Sequence, residues 1–320
     1  IAVPVNSEQI DKYASKNNFN IKVTGEAEIL IGVSLIDVTI EEELRNAFSQ
    51  KKLGGICLIN FCAGGETLLS DDIMKVIEIL LENGHYLMIV TNGTVSKRFK
   101  TFANYNEDYK RRLFIKFSFH YLELLRLNLL DVFFDNVKLM RQSHISFTVE
   151  LGAFDKYKEH LKDINKKCMS DIGALPHITP LRDETKDEFS LLTDMNINEY
   201  TGVWNKYDSD LFKFRMRLWG EKRKEFCYAG DWSICINLDN GDITKCFCEK
   251  KIGNIFNDEK IKFEAVGTHC KAPYCYAGHA FLALGTCPDV DYGNFDSLRD
   301  REDAKWLEPD MKDFMHQKLN

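Results

Sequence analysis

Several features that would fix a protein's class at once are missing from this chain. No apolar run reaches the roughly 20 residues of a membrane span, and the mean hydropathy is −0.30, so no membrane role is expected. Neither sign of charge dominates: 49 acidic residues face 42 basic ones, for a net charge of −7. That balance excludes bulk attraction to nucleic acid or to an anionic membrane. The strips Lys110-Arg111-Arg112 and Lys222-Arg223-Lys224 read as solvated faces. No secretory leader is recognisable, which points to the cytoplasm, and solenoid repeats and low-complexity tracts are absent. Cysteine is absent before Cys57.

Against that early gap, the chain has ten cysteines, and seven of them fall between Cys227 and Cys287. In a cytosolic chain such a concentration suggests metal or redox chemistry rather than disulfides. With 320 residues, 44% of them hydrophobic, there is material for one large domain and one small one.

The first half alternates strand and helix signals. Ile1 to Asn6 reads as a short strand. Thr39 to Gln50 has a helical period, with Thr39 and Glu42 spaced as a capping box. Gly55 to Phe61 is an almost continuous apolar run, as in a strand buried on both faces. Ala63-Gly64-Gly65-Glu66 follows, then a helix capped by Ser70 and running to Glu82. Further strands are expected at Tyr86–Val90, Phe114–Phe119, Ile145–Leu151 and Ala174–Thr179. Helices are expected at Lys97–Arg111, Leu122–Gln142 and Tyr157–Met169. Six strands alternating with helices predict a parallel α/β sheet with right-handed crossovers. Asn6, Glu66, Asn92, His120, Glu150 and Arg182 fall at or just past the C-terminal strand ends, the edge that carries the chemistry in barrel folds.

The pattern stops near Arg182. Asp183 to Glu199 reads as a connection and Leu211 to Arg223 as a bridging helix. Beyond Cys227 come short strands and turns, with Asp239-Asn240-Gly241-Asp242 as a hairpin turn, and Phe295 to Leu319 reads as a charged helix. The expected organisation is a parallel α/β domain over 1–182, a connecting segment over 183–226, a cysteine-rich α+β extension over 227–290 and a helical tail over 291–320.

Cys227 and Cys246 flank the hairpin, so its strands would bring them close. Cys270 and Cys275 are separated by four residues including Pro273. These four thiols are the candidate ligands of an iron–sulfur cluster or a structural zinc. Spacing does not choose between the two. A metal would help fold a region with little apolar material of its own. Cys57, Cys168 and Cys235 read as small core residues; Cys62 is ambiguous and Cys287 is a spare ligand. Cys248, two residues from Cys246, points the same way along a strand and is a candidate thiol donor.

Two features together resemble the radical S-adenosylmethionine (radical SAM) enzymes. The first is Gly64-Gly65-Glu66-Thr67-Leu68-Leu69 after a buried strand, with a later strand ending in Thr91-Asn92-Gly93. Thr67 stands where that family usually has proline. The second is Cys227, then 13 residues, Gly241, four residues and Cys246, with Gly253-Asn254-Ile255-Phe256 downstream, which looks like the start of a SPASM or twitch extension. The resemblance covers about nine-tenths of the chain and implies that residues 1–182 form a partial (β/α)6, TIM-like barrel. It implies that Gly64, Gly65 and Glu66 hold the methionine amino group of S-adenosylmethionine, and that Asn92, Ser118 and Glu150 contact its ribose and carboxylate. It further implies an auxiliary [4Fe–4S] cluster on Cys227, Cys246, Cys270 and Cys275, an external flavodoxin- or ferredoxin-like one-electron reductant, and abstraction of a substrate hydrogen. The substrate is expected to be a peptide that is crosslinked, oxidised or epimerised, with Cys248 as the hydrogen-atom donor in the last case. A sugar or small metabolite is the alternative.

One departure is large. The family's three cysteines, spaced three and then two residues apart, belong after Asn6, where Ser7-Glu8-Gln9-Ile10 stands. Either a relative has lost its catalytic cluster and remains a metal-stabilised binding scaffold, or residues carrying a second, S-adenosylmethionine-binding cluster are omitted between Asn6 and Ser7. The expectation is omission, and the gene sequence across that junction checks it.

Overall fold

The computed structural model describes residues 41–317 except 63–64, 184, 186–189, 247–250, 258–259, 269 and 291–292. The strand expected over Ile1–Asn6, the Asn6–Ser7 junction, Gly64 and Cys248 lie outside the described residues.

Five strands pair in parallel and in chain order: β1 (Leu58–Phe61), β2 (Tyr86–Thr91), β3 (Leu113–Phe119), β4 (Ser146–Ala153) and β5 (His177–Pro180). The sheet is a curled half-barrel, a partial TIM-like barrel. Two short helices, α1 (Glu41–Ala47) and α2 (Gln50–Leu53), precede it. The crossovers carry α3 (Asp72–Glu82), α4 (Ser96–Ala103), α5 (Glu107–Lys110), α6 (Tyr121–Arg126), α7 (Leu130–Gln142) and α8 (Leu161–Ile172).

Three expected helices are each divided, for local reasons. Asn106 caps α5 by accepting a hydrogen bond from the Tyr109 amide, which restarts the chain after α4. Asn128 adopts a left-handed conformation (φ 57°) between α6 and α7, a role its short polar side chain tolerates. The segment before α8 is a 3₁₀ turn, Asp155–His160. Asp71, not Ser70, is the cap residue of α3; Ser70 Oγ accepts from the Asp72 amide at 3.1 Å.

Because side chains alternate across a strand, the sheet has two unlike faces. Leu87, Ile89, Ile115, Phe117, Phe119, Phe147, Val149 and Leu151 point outward and are buried beneath the helices. The inner face is apolar only near the strands' N-terminal ends. There Met88 and Phe114 pack against α10 (Asp210–Leu218), Leu282, Phe295, Leu298 and Met311. The segment read as a connection contains α9 (Ile197–Trp204). Among its described residues, the expected helical tail holds only a 3₁₀ turn, Glu302–Ala304, and α12 (Pro309–His316). Preceding α12, the tail is tied to β4: Phe147 donates its amide to Trp306 O at 2.9 Å and Thr148 Oγ1 donates to Arg299 O at 2.9 Å.

The cysteine-rich region forms a small antiparallel sheet of β6 (Cys235–Ile236), β7 (Asp242–Thr244) and β8 (Lys251–Asn254), followed by α11 (Gly278–Phe281). Gly241 turns the hairpin at φ 75°, where a Cβ would come within 2.5 Å of the Phe256 ring and 2.6 Å of Asn254 Oδ1. That conformation and that crowding admit only glycine.

Candidate functional site

Toward the C-terminal strand ends the inner face turns polar and opens. Asn60 and Cys62, in line with β1, are exposed, and Asn92, Lys116, Ser118, Gly152 and Thr179 keep partial access. The Ser118 hydroxyl has no hydrogen-bond partner among the described residues. An accessible row across the five strands, polar on β1, β2, β3 and β5, is where a ligand would bind in this class of fold.

Glu66 organises one rim of that opening. From the turn after β1 its carboxylate crosses to the end of β2. Oε1 accepts from the Leu68 amide (3.0 Å) and from Thr91 Oγ1 (2.7 Å), and Oε2 accepts from the Asn92 amide (2.6 Å). A carboxylate offers about four acceptor positions, so Oε2 retains one. Burial raises the Glu66 pKa, and the three hydrogen bonds oppose that rise. An ammonium group at the vacant position would favour the charged form further. Gly65 is exposed beside it. The Asn92 side chain is used locally, accepting from the Thr94 amide and hydroxyl at 3.0 and 2.6 Å. Arg98 of α4 clamps the loop, donating to the carbonyls of Leu68 (3.0 Å) and Leu69 (3.2 Å) and pairing with Asp71 at 2.7 Å.

Glu150, expected as a ligand contact, is only 4% exposed and sits between two cations: Lys116 Nζ at 2.9 Å from Oε2, and Arg299, whose Nη1 pairs with Oε1. Burial, and then repulsion from Arg299, pulls the Lys116 pKa down to about 7. His120, at the end of β3, is pulled down to about 4 chiefly by burial and is neutral at physiological pH. Sequence reasoning missed both cations. Lys116 had a signal, as the single charge in the strand Leu-Phe-Ile-Lys-Phe-Ser-Phe. Arg299 had none, since it lies in a run that reads as a solvated tail.

Two of the expected metal ligands, Cys227 and Cys270, lie within electrostatic reach of a third, Cys275. Cys227 pairs with Gly267 through reciprocal backbone hydrogen bonds (3.1 and 2.9 Å), and Tyr228 donates to Thr286 O at 2.7 Å. These bonds bring Cys287 beside Cys227, and the two thiols hydrogen-bond. Cys275 lies within electrostatic reach of Cys227, Cys270 and Cys287, and burial pushes its thiol up to about 12. The Cys227 hydrogen bond and burial also push the Cys287 thiol up. Cys246 is half-buried two residues past the end of β7. Lys222 Nζ fixes the Cys270 loop through the carbonyls of Cys270 and Ala272 at 2.7 and 2.8 Å. The donor chemistry suits a thiophilic metal centre. The spacing is not closed: among the described residues no three His, Cys, Asp or Glu side chains converge as a metal site. Of the three cysteines read as core residues, Cys168 is fully buried, whereas Cys57 and Cys235 are half-buried.

No protein-family model matches the chain, and no curated protein does. Among solved structures, anSMEcpe with bound AdoMet is similar at 14% identity and a TM-score of 0.48, over 75% of this chain and 70% of that one. Streptococcus suis SuiB bound to S-adenosylmethionine is similar at 15% identity and a TM-score of 0.45, over 82% and 69%. Native anSMEcpe with AdoMet and the Kp18Cys peptide is similar at 17% identity and a TM-score of 0.44, over 72% and 73%. At these values the likeness is remote, and the functional reading rests on the residues of this chain.

Proposed function

We propose that this chain is a radical S-adenosylmethionine enzyme that holds its cofactor on the polar inner face of the half-barrel. The observation that carries the reading is Glu66, which leaves the end of β1, fixes the end of β2 through Thr91 and Asn92, and keeps one carboxylate position for an ammonium. Gly65 leaves room for the methionine end beside it, and the Ser118 hydroxyl serves the ribose or carboxylate. When bound, S-adenosylmethionine with its [4Fe–4S] cluster supplies reductive cleavage to a 5′-deoxyadenosyl radical, and thereby hydrogen abstraction from the substrate. The chain's own contribution is binding, orientation and exclusion of water. Cys227, Cys270 and Cys275, with Cys246 or Cys287, are the proposed ligands of an auxiliary cluster. The resemblance to SPASM and twitch extensions supports a peptide substrate.

A second reading is favoured by one observation, the absence of any cysteine before Cys57. In that reading the chain is a non-catalytic scaffold stabilised by a metal at the cysteine-rich end. Anaerobic reconstitution with iron and sulfide separates the two. The enzyme reading predicts about eight irons in two [4Fe–4S] clusters and release of 5′-deoxyadenosine with dithionite. About four irons without the nucleoside supports the scaffold.

A further inference from the structure

Deep in the half-barrel, charge is unbalanced. Lys116 of β3 and Arg299 of the tail both pair with Glu150 of β4. Arg215 of α10, 4% exposed, is close enough to Lys116 to repel it. Its Nη1 donates to Tyr276 O at 2.8 Å. Among the described residues, Lys116 and Arg299 thus share one carboxylate, and Arg215 adds its charge from the side of Lys116. Arg299 is fully buried, and its Nε and Nη2 have no hydrogen-bond partner among the described residues. Its guanidinium lies 4.9 Å from the centre of the Phe295 ring. Buried charge without compensation costs several kcal/mol per ion, and unmatched guanidinium donors add to that cost.

Burial lowers the pKa of Arg299 to about 9, and burial followed by repulsion from Arg182 lowers that of Arg215 to about 10. The cluster also has an entrance. Lys116 keeps 16% of its side chain accessible, and two residues further along the same strand face lies the partly open Ser118. A ligand on the polar inner face therefore reaches Lys116 first, with Arg299 behind it. An accessible ammonium backed by buried guanidinium charge suits a carboxylate.

We propose that this cluster is an anion-binding subsite that takes a carboxylate of the substrate on the accessible side of Lys116, with Arg299 and Arg215 adding to the positive field. The assignment of the carboxylate to a substrate rests on the function proposed above; the subsite itself does not. S-Adenosylmethionine brings its own carboxylate, so the test must tell the two sources apart.

Thermal unfolding of the full chain is followed with sodium glutarate, glutaramide and inorganic phosphate, each against sodium chloride at equal ionic strength. Binding of S-adenosylmethionine to wild type and Lys116→Met is measured in parallel by equilibrium dialysis. The expected result is a saturable rise in Tm with glutarate and none with glutaramide. Lys116→Met should fold at least as well as wild type, lose the glutarate response, and bind S-adenosylmethionine within about twofold of wild type. A flat glutarate titration, an equal response in Lys116→Met, or a response to phosphate alone would overturn the carboxylate subsite. A loss of S-adenosylmethionine affinity of about tenfold or more in Lys116→Met would overturn it too, by giving the cluster to the cofactor. If wild type responds to glutarate but binds no S-adenosylmethionine, the subsite stands and the radical reading fails.

Discussion

The outer and inner faces of the five-stranded sheet come from the same strands and have opposite chemistry. Phe117 and Ser118 are neighbours in β3. Phe117 is fully buried, stacks on Phe99 at 5.4 Å and meets the edges of Phe133 and Phe147 at 5.6 and 6.4 Å. Ser118 faces the open interior with no hydrogen-bond partner among the described residues. The difference separates two jobs that a period of two residues makes independent. The outer face supplies the burial that holds the sheet, and the inner face is left free for the binding proposed above.

That division can be broken by substitution. The largest effect is expected for Phe117→Ala, which leaves a cavity between aromatic rings and should cost about 3–5 kcal/mol of unfolding free energy in urea titration. A cost below about 1 kcal/mol would mean that the outer face does not carry the sheet. Acid should come next. His177 is buried, with Nε2 3.0 Å from Asp300 O, and burial foremost lowers its pKa to about 3. The unfolded chain accepts a proton near pH 6.5 that the folded protein refuses until about pH 3. Stability is therefore lost as pH falls through that window, by about 2 kcal/mol from pH 6.5 to 5. His177→Gln should flatten this slope by that amount; an unchanged slope would assign the acid sensitivity elsewhere.

Gly93→Ala should cost about 1–3 kcal/mol. Gly93 has φ 77°, and a Cβ there would lie 2.7 Å from the Phe133 ring and 2.8 Å from that of Phe117. Because the outer face imposes that glycine, the Thr-Asn-Gly strand end is partly a packing signature. The smallest change in stability is expected for Ser118→Ala, within about 0.5 kcal/mol, with S-adenosylmethionine affinity reduced about fivefold for one lost hydrogen bond. An unchanged affinity would remove Ser118 from the site.

The sheet was legible because its strands are apolar runs separated by helical periods, and a strand buried on its outer face needs no partner information to be recognised. The breaks between α4 and α5 and between α6 and α7 were not legible. They depend on single asparagines whose capping or left-handed geometry competes with a continuous helical pattern. Glu66 was found from its place after a buried strand, but its bonds to Thr91 and Asn92 depend on two strands meeting in space. Glu150 was read as a polar strand end, but β4 continues to Ala153. The pairing of Glu150 with Arg299 lies 149 residues away, beyond any local signal. Gly241 was legible as a turn, whereas Cys287 joins Cys227 only because residues 227–228 pair with residues 267 and 286.

The central claim is that the inner face binds S-adenosylmethionine with the help of the Glu66 carboxylate. Calorimetric titration of S-adenosylmethionine into anaerobically reconstituted wild type and Glu66→Gln tests it most directly, with far-ultraviolet circular dichroism confirming that both are folded. The account predicts saturable binding to wild type and at least tenfold weaker binding to Glu66→Gln. No binding to wild type, or equal affinity in the two proteins, would contradict it.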